Sequence, residues 1–503
     1  MTRQLAFAVL FLAAAQQSFA ETAELNVALD SITSTDLRRH VAALADDTFE
    51  GRESGSRGGR AAGLYLVQQF QKFGVPGGAK GGYYQRFGEY TNLLAVLEGS
   101  DPELKNQFLV VGAHYDHVGY GTRRNSYGPL GYIHNGADDN ASGVAGLLEV
   151  AEAFARSGSR PKRSILFCLW DGEERGLYGS KHWLDNPTVP LKQVALAFNA
   201  DMIGRLGTKK LEVLGIRTAP GLRKLVSLSN DDPTLSLFFN WELKENSDHY
   251  PFVQKRIPVV MFHTGLHGDY HRPSDDVDKI DPDGMQHTAR FLFRFLDRAA
   301  DEPQLGNYRA QSQLEGPWTS KLLERPLAPP RGRLGLSWDE KQAANGKIIV
   351  TLVGIGSAAD KAGLKPGDRI VEFAGHAITS AADIRKAVLG AKNPVTAVVE
   401  RNGSAEPLKP TLELVGTPVR LGCSWRIDDA EPNALIVNRV IPGSPADEAG
   451  IRLNDRIYTA AGQGSLSTES FLALVGSTTG PLELLIESSG QPRTVKVDLP
   501  AVE

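Results

Sequence analysis

The sequence predicts an α/β protein: a mixed central sheet flanked by helices, followed by two small β-rich modules. Three observations carry this. Apolar runs at Phe108–Ala113, Ile165–Trp170, Val194–Phe198 and Val259–Phe262 are each short, continuous and rich in branched or aromatic residues, as buried strands are. Helical periodicity separates them, with Val144, Leu147, Leu148, Ala151 and Ala155 forming one apolar face over Ala141–Arg156. Finally, a segment near residue 333 recurs near residue 420.

Taken in order, residues 1–20 place Arg3 before an apolar stretch Leu5–Ala15 and end on Ser18-Phe19-Ala20, a small-x-small pattern. This is read as a cleaved signal peptide, so the protein is expected to be exported, to the periplasm or beyond. No later run is long enough to span a bilayer, and no cysteine follows that could carry a lipid. Cys168 and Cys423 are the whole cysteine complement and are not expected to pair. A length of 503 residues with 41% hydrophobic and 23% charged side chains is ordinary for a globular chain of several domains. A net charge of -4, without a basic cluster interleaved with aromatics, gives no footing for nucleic acid.

The segment Ser34–Phe73 reads as helical, broken by the glycine-rich loop Gly51–Gly59, which lacks the Gly-Lys-Ser/Thr ending of a phosphate cradle. Strands resume at Tyr83–Phe87 and Asn92–Leu97. A helix over Met285–Ala300 closes the first domain, and Gly265–Asp269 reads as an active-site loop. From residue 303 to 330 periodicity is lost and five prolines appear, the pattern of a linker.

The chemistry gathers around Gly136-Ala137-Asp138-Asp139-Asn140-Ala141-Ser142-Gly143. On its own this octamer reads first as a helix-capping turn, with Asp139 or Asn140 accepting first-turn N–H groups and no metal needed. The four apolar runs change the balance, because each is followed by ionisable residues: His114-Tyr115-Asp116-His117, Asp171-Gly172-Glu173-Glu174, Asn199-Ala200-Asp201, and His263 with Tyr270-His271. Open α/β sheets bind ligands at the carboxyl ends of their strands. Imidazole nitrogen and carboxylate oxygen suit zinc, so His114, Asp138, Glu174, Asp201 and His271 form a candidate set for two Zn²⁺, with Asp138 able to bridge them.

At these positions the sequence resembles the dinuclear-zinc exopeptidases of the bacterial leucyl aminopeptidase and aminopeptidase Y type, with glutamate carboxypeptidases more distant. The resemblance rests on His114-x-Asp116, Gly136-Ala137-Asp138-Asp139, Glu173-Glu174-x-Gly176-Leu177-x-Gly179-Ser180, Asn199-x-Asp201-Met202, Ser247-Asp248-His249 and Tyr270-His271. It implies Asp138 as the bridge, Glu174 and His271 on one zinc, His114 and Asp201 on the other, Glu173 as general base, and Asp116 as the carboxylate orienting His114. Tyr270 would be an oxyanion donor and His249 a substrate-positioning residue; plain packing is the alternative for each. His117, His134, His182, His263, His267 and His287 are read as surface or supporting histidines. The implied function is an exported aminopeptidase acting on peptides or proteins. A glutaminyl cyclase or carboxypeptidase of the same fold, or a peptide-binding scaffold with an inactive peptidase domain, are the alternatives.

The repeat pairs Arg333-Leu334-Gly335-Leu336-Ser337-Trp338 with Arg420-Leu421-Gly422-Cys423-Ser424-Trp425, and Gly356–Gly363 with Gly443–Gly450, at one constant shift. Each copy resembles a bacterial PDZ domain, which captures a peptide's terminal carboxylate on loop N–H groups. Leu334, Gly335 and Leu336, and likewise Leu421, Gly422 and Cys423, are the loops the resemblance implies. Copies that only pack are the alternative. The expected organisation is signal peptide 1–20, zinc peptidase domain 21–302, linker 303–330, and PDZ domains 331–416 and 417–503.

Overall fold

A computed structural model describes residues 23–158, 160–328, 330 and 332–500, so the expected signal peptide lies outside the described residues. The chain forms two compact units, one running to Ser320 together with residues 429–431 and 489–491, the other holding most of the chain from Lys321 onward.

The first unit is built on an eight-stranded sheet: β1 (Tyr84–Phe87), β2 (Tyr90–Leu97), β3 (Phe108–His114), β4 (Ser164–Trp170), β5 (Val194–Ala200), β6 (Leu211–Leu214), β7 (Leu237–Asn240) and β8 (Val259–His263), in the order β1-β2-β4-β3-β5-β8-β6-β7. The four central strands β4, β3, β5 and β8 run parallel, while β2 and β6 join them antiparallel. Both faces of β4 are covered. Ile165, Phe167 and Leu169 enter one hydrophobic cluster and Leu166, Cys168 and Trp170 the other, which is why this strand reads as an unbroken apolar run. All its residues are buried.

On the first face lie the helices Gly143–Ser157 and Pro282–Asp301, joined by Phe154 against Phe293 at 4.4 Å between ring centroids. The second helix starts where sequence chemistry dictates, with Pro282 at its first turn and Asp281 Oδ1 accepting the Gly284 N–H at 3.0 Å. It buries Phe291, Leu292, Phe295 and Leu296, each contributing about 1.5–3 kcal/mol of transfer free energy. No described helix is long and apolar enough to cross a membrane. The two cysteines are free thiols.

The stretch expected to be a linker runs from residue 303 to 330. Residues 303–315 fold with the first unit: Arg309 donates its backbone N–H to the Thr218 carbonyl at 2.6 Å, and Glu315 is held by Arg217 and Arg309. Further on, the Leu327 N–H reaches the Asn438 carbonyl, within the second unit. Proline content removes periodicity, while ion pairs and backbone bonds hold the irregular path of residues 303–315.

The second unit holds two sheets, one of six strands between Leu336 and Leu412 and one of five between Cys423 and Leu499, each with its own hydrophobic core. Gly335 and Gly422 both have positive φ, and a Cβ on either would stand 2.4 and 2.1 Å from Ser357 Cβ and Ser444 Cβ. These loop glycines are therefore obligatory to each module's geometry. Leu334 and Leu421 beside them are buried. The two copies differ in the surroundings of their paired tryptophans: Arg385 lies over Trp338 in the first copy, while Trp425 in the second packs edge-on to Phe471 and donates its indole N–H to Thr468.

Candidate active site

Because β3, β4, β5 and β8 are parallel, their carboxyl ends lie along one sheet edge, and His114, Glu173-Glu174, Asp201 and the loop leading to His271 leave from it. Two groups of donor atoms converge there: His117, Asp139, Glu174 and His271 in one, and His114, Glu173 and Asp201 in the other. Asp139 spans both. Its Oδ1 is 3.3 Å from His114 Nε2 and its Oδ2 is 3.1 Å from His271 Nε2. His114 Nε2 is also 3.4 Å from Asp201 Oδ1, and His271 Nε2 is 3.1 Å from Glu174 Oε2.

Of the expected ligands, His114, Glu174, Asp201 and His271 are brought together and Asp138 is not. Asp138 Oδ1 accepts the Gly204 N–H at 2.7 Å and the Ser142 hydroxyl at 3.0 Å, and its Oδ2 lies 3.1 Å from His267 Nε2. Adjacent side chains in this turn face opposite ways, and composition alone gives no sign of which faces the sheet edge. The turn itself is set by its small residues. Gly136 has φ 56°, and a Cβ there would meet the Asp139 carbonyl oxygen at 2.1 Å and the His117 ring at 2.5 Å. Asn140 ties the turn to β5, its Nδ2 donating to the Ala200 carbonyl and its Oδ1 accepting from Met202 and Gly143. Asp275 accepts the backbone N–H groups of both Asp138 and Asp139 and is pinned by Arg205 at 2.6 Å.

Asp116 also differs from expectation. Its carboxylate is 3.8 Å from His114 Nδ1, which instead lies 3.2 Å from the Asp116 carbonyl oxygen. The carboxylate accepts the Glu173 and Glu174 backbone N–H groups and the Ser54 hydroxyl. It positions the paired glutamates, while its main chain orients the histidine.

Tyr270 stacks on His271 at 3.9 Å between centroids. Burial, followed by the Asp139 and Glu174 carboxylates, pushes its phenol well up, so it keeps a proton to donate. His249 is buried beside the start of the helix Tyr250–Gln254 and outside both donor groups; burial pushes its imidazole down to about 4. Two further residues support the site: His117, read from the sequence as a surface or supporting histidine, and Arg52, which the sequence reading did not single out. His117 is buried with Nδ1 2.8 Å from Glu174 Oε1. Arg52, in the glycine-rich loop, is fully buried beneath the site, donating to the carbonyls of Leu44, Tyr115, Asn135 and Gly136. It is one of two arginines in the loop Gly51–Gly59, and no motif marks it.

The donor set fits metal. Ligand atoms about 2.0–2.1 Å from a tetrahedral ion lie about 3.3 Å from one another, close to the separations around Asp139. Asp139 Oδ2, Asp201 Oδ1 and His271 Nε2 are buried without hydrogen-bond partners, a costly arrangement unless a cation sits among them. The electrostatics agree. Burial disfavours a charged His271, yet Asp139 and Glu174 outweigh it and raise the imidazole to about 11. Burial likewise disfavours an ionised Asp139, and the surrounding histidines still hold its carboxyl well below the usual range. Glu173 goes the other way. Burial drives it well up, His114 opposing and the Glu174, Asp248 and Asp201 carboxylates adding to the effect.

Residues 92–296 match the model of peptidase family M28. This segment is an M28 peptidase domain. Residues 349–401 and 436–488 each match a PDZ domain, the tandem copies read from the repeat. The chain is 31% identical over 202 residues to the leupeptin-inactivating enzyme 1 of Streptomyces exfoliatus, a match covering 37% of this chain and 38% of that protein. It is 30% identical over 189 residues to aminopeptidase YwaD of Bacillus subtilis, covering 35% of this chain and 37% of that one. The chain thus spans less than half the length of these two relatives. Among solved structures, the LapA aminopeptidase of Legionella pneumophila is similar at 22% identity with a TM-score of 0.47, over 56% of this chain and 75% of that one.

Proposed function

We propose that this protein is an exported zinc aminopeptidase that removes residues from the free amino terminus of peptides. The observation that carries the reading is Asp139, whose two oxygens face two separate groups of imidazole and carboxylate donors. In this reading His114, Asp201 and Asp139 hold one zinc, and Glu174, His271 and Asp139 hold the other.

Bound there, zinc lowers the proton affinity of water and polarises a peptide carbonyl. The protein's own groups do the rest. Glu173 shares the donor group of His114 and Asp201; with Asp139 completing that set, this reading makes Glu173 the base and not a ligand. It accepts the water's proton and returns it to the leaving amine. Asp116 fixes Glu173 through the backbone N–H. Tyr270, beside His271, donates its phenolic proton toward the carbonyl oxygen as charge builds there. The PDZ modules are assigned to peptide or protein chains with free C-termini.

The relatives named as aminopeptidases support this direction, and the apolar stretch Leu5–Ala15 followed by Ser18-Phe19-Ala20 supports export. The test is a panel of aminoacyl-anilides with N-acetylated counterparts, offered to the zinc-loaded protein. Cleavage of the free amines alone is expected. Equal rates on blocked substrates would overturn the assignment, and release of C-terminal residues would make the enzyme a carboxypeptidase. Cyclisation of N-terminal glutamine in place of cleavage would make it a glutaminyl cyclase.

A further inference from the structure

The Glu174 carboxylate is divided between two histidines. Its Oε2 stands 3.1 Å from His271 Nε2, within the spacing of two ligands on one ion, whereas its Oε1 stands 2.8 Å from His117 Nδ1. The second distance is shorter than neighbouring ligands on a zinc ion adopt and falls in the range of a charge-assisted N–H···O bond. His117 Nδ1 is also 3.8 Å from Asp139 Oδ2, against 3.1 Å for His271 Nε2, so the two rings do not address Asp139 alike.

A metal-binding carboxylate offers only lone pairs, so His117 Nδ1 carries the proton. Nε2 is then a bare acceptor. It is buried and has no hydrogen-bond partner, and an orphaned acceptor is tolerated better than an orphaned N–H. The ring has little freedom to do otherwise: it is buried, its backbone N–H reaches the Arg52 carbonyl at 3.2 Å, and it sits edge-on to His271 at 5.5 Å between centroids. The space it occupies exists because residue 136 is glycine, a Cβ there falling 2.5 Å from His117 Cδ2.

Resting on the two-metal reading above, we propose that His117 is a positioning residue for the metal on the His271 side: its Nδ1–H holds Glu174 Oε1 and leaves Oε2 alone to face the ion. Outer partners of this kind set ligand orientation and typically change metal affinity by 10–100-fold. The arrangement also makes the two metal positions unequal, since Asp201, the corresponding carboxylate opposite, takes its hydrogen bond from the Ser247 hydroxyl.

The experiment is zinc titration against a competing chelator for the intact protein and for His117→Leu and His117→Asn. Leucine fills the volume without donating, and the asparagine amide donates where Nδ1 did. Expected are two zincs in the native protein, one of them bound roughly 10–100-fold more weakly in His117→Leu, and native-like affinity restored in His117→Asn. Native affinity at both positions in His117→Leu would overturn the proposal. So would equal weakening in both variants, since the imidazole would then itself be a ligand. A native protein that binds fewer than two zincs would overturn the two-metal reading, and this proposal with it, whatever the variants do.

Discussion

Asp116 accepts the backbone N–H of Glu173 at 3.1 Å. This bond fixes the turn after β4 from which Glu173 and Glu174 diverge, so the residue acts on the glutamates through their main chain. Asp116→Asn puts an amide N–H opposite one of two backbone donors, and the turn must shift. We expect kcat on an aminoacyl-anilide to fall about 10–100-fold, the usual worth of an outer partner at a metal site. Stopped-time assays of the zinc-loaded variant measure it. An unchanged kcat would show that the turn holds its shape without the bond.

Glu173→Gln keeps the side-chain shape and removes the proton acceptor. Both zincs should remain bound, with a rate lower by roughly 10²–10⁴-fold. Zinc analysis beside turnover checks both halves. Loss of a zinc would make Glu173 a ligand, which its place beside His114 and Asp201 allows chemically.

The sheet and its carboxyl-end residues were legible because buried parallel strands read as apolar runs and the ionisable groups come directly after them. Strands β3, β4, β5 and β8 lie within a residue or two of expectation. The choice between Asp138 and Asp139 was not legible, since it depends on the path of a turn that Gly136, Asn140 and Asp275 set together. His117 was read only as a surface or supporting histidine, because a histidine three residues after a ligand has no periodicity to mark which partner it supports. Arg52 was invisible for a related reason: its acceptors are backbone carbonyls, Leu44 nearby and Tyr115, Asn135 and Gly136 from two distant segments.

Glu315 tests whether the proline-containing stretch belongs to the peptidase unit. Its carboxylate takes bonds from Arg217 at 2.7 and 3.1 Å and from Arg309 at 2.6 Å, with Arg217 stacked 3.9 Å over the Trp241 ring. Glu315→Gln leaves a buried guanidinium short of its partner, and a loss of about 3–5 kcal/mol is expected in denaturant unfolding. The pH dependence has a definite sign. Burial raises the Glu315 carboxyl, but the two arginines outweigh it and bring it from 4.5 to about 2. A depressed folded pKa gives stability that is present above the unfolded value and lost as pH falls from about 4.5 toward 2. The variant should lose that part of the slope. Native-like stability in Glu315→Gln would show that residues 303–315 contribute little to the fold.

The central claim is that Asp139, and not its neighbour, joins two metal positions. Zinc content of the purified protein, of Asp139→Asn and of Asp138→Asn tests it most directly. The account predicts two zincs per chain in the native protein, sharply reduced zinc in Asp139→Asn, because a neutral amide is a poor replacement for a bridging carboxylate, and both zincs retained in Asp138→Asn, whose side chain faces Gly204, Ser142 and His267. Two zincs in Asp139→Asn, with loss in Asp138→Asn, would contradict it.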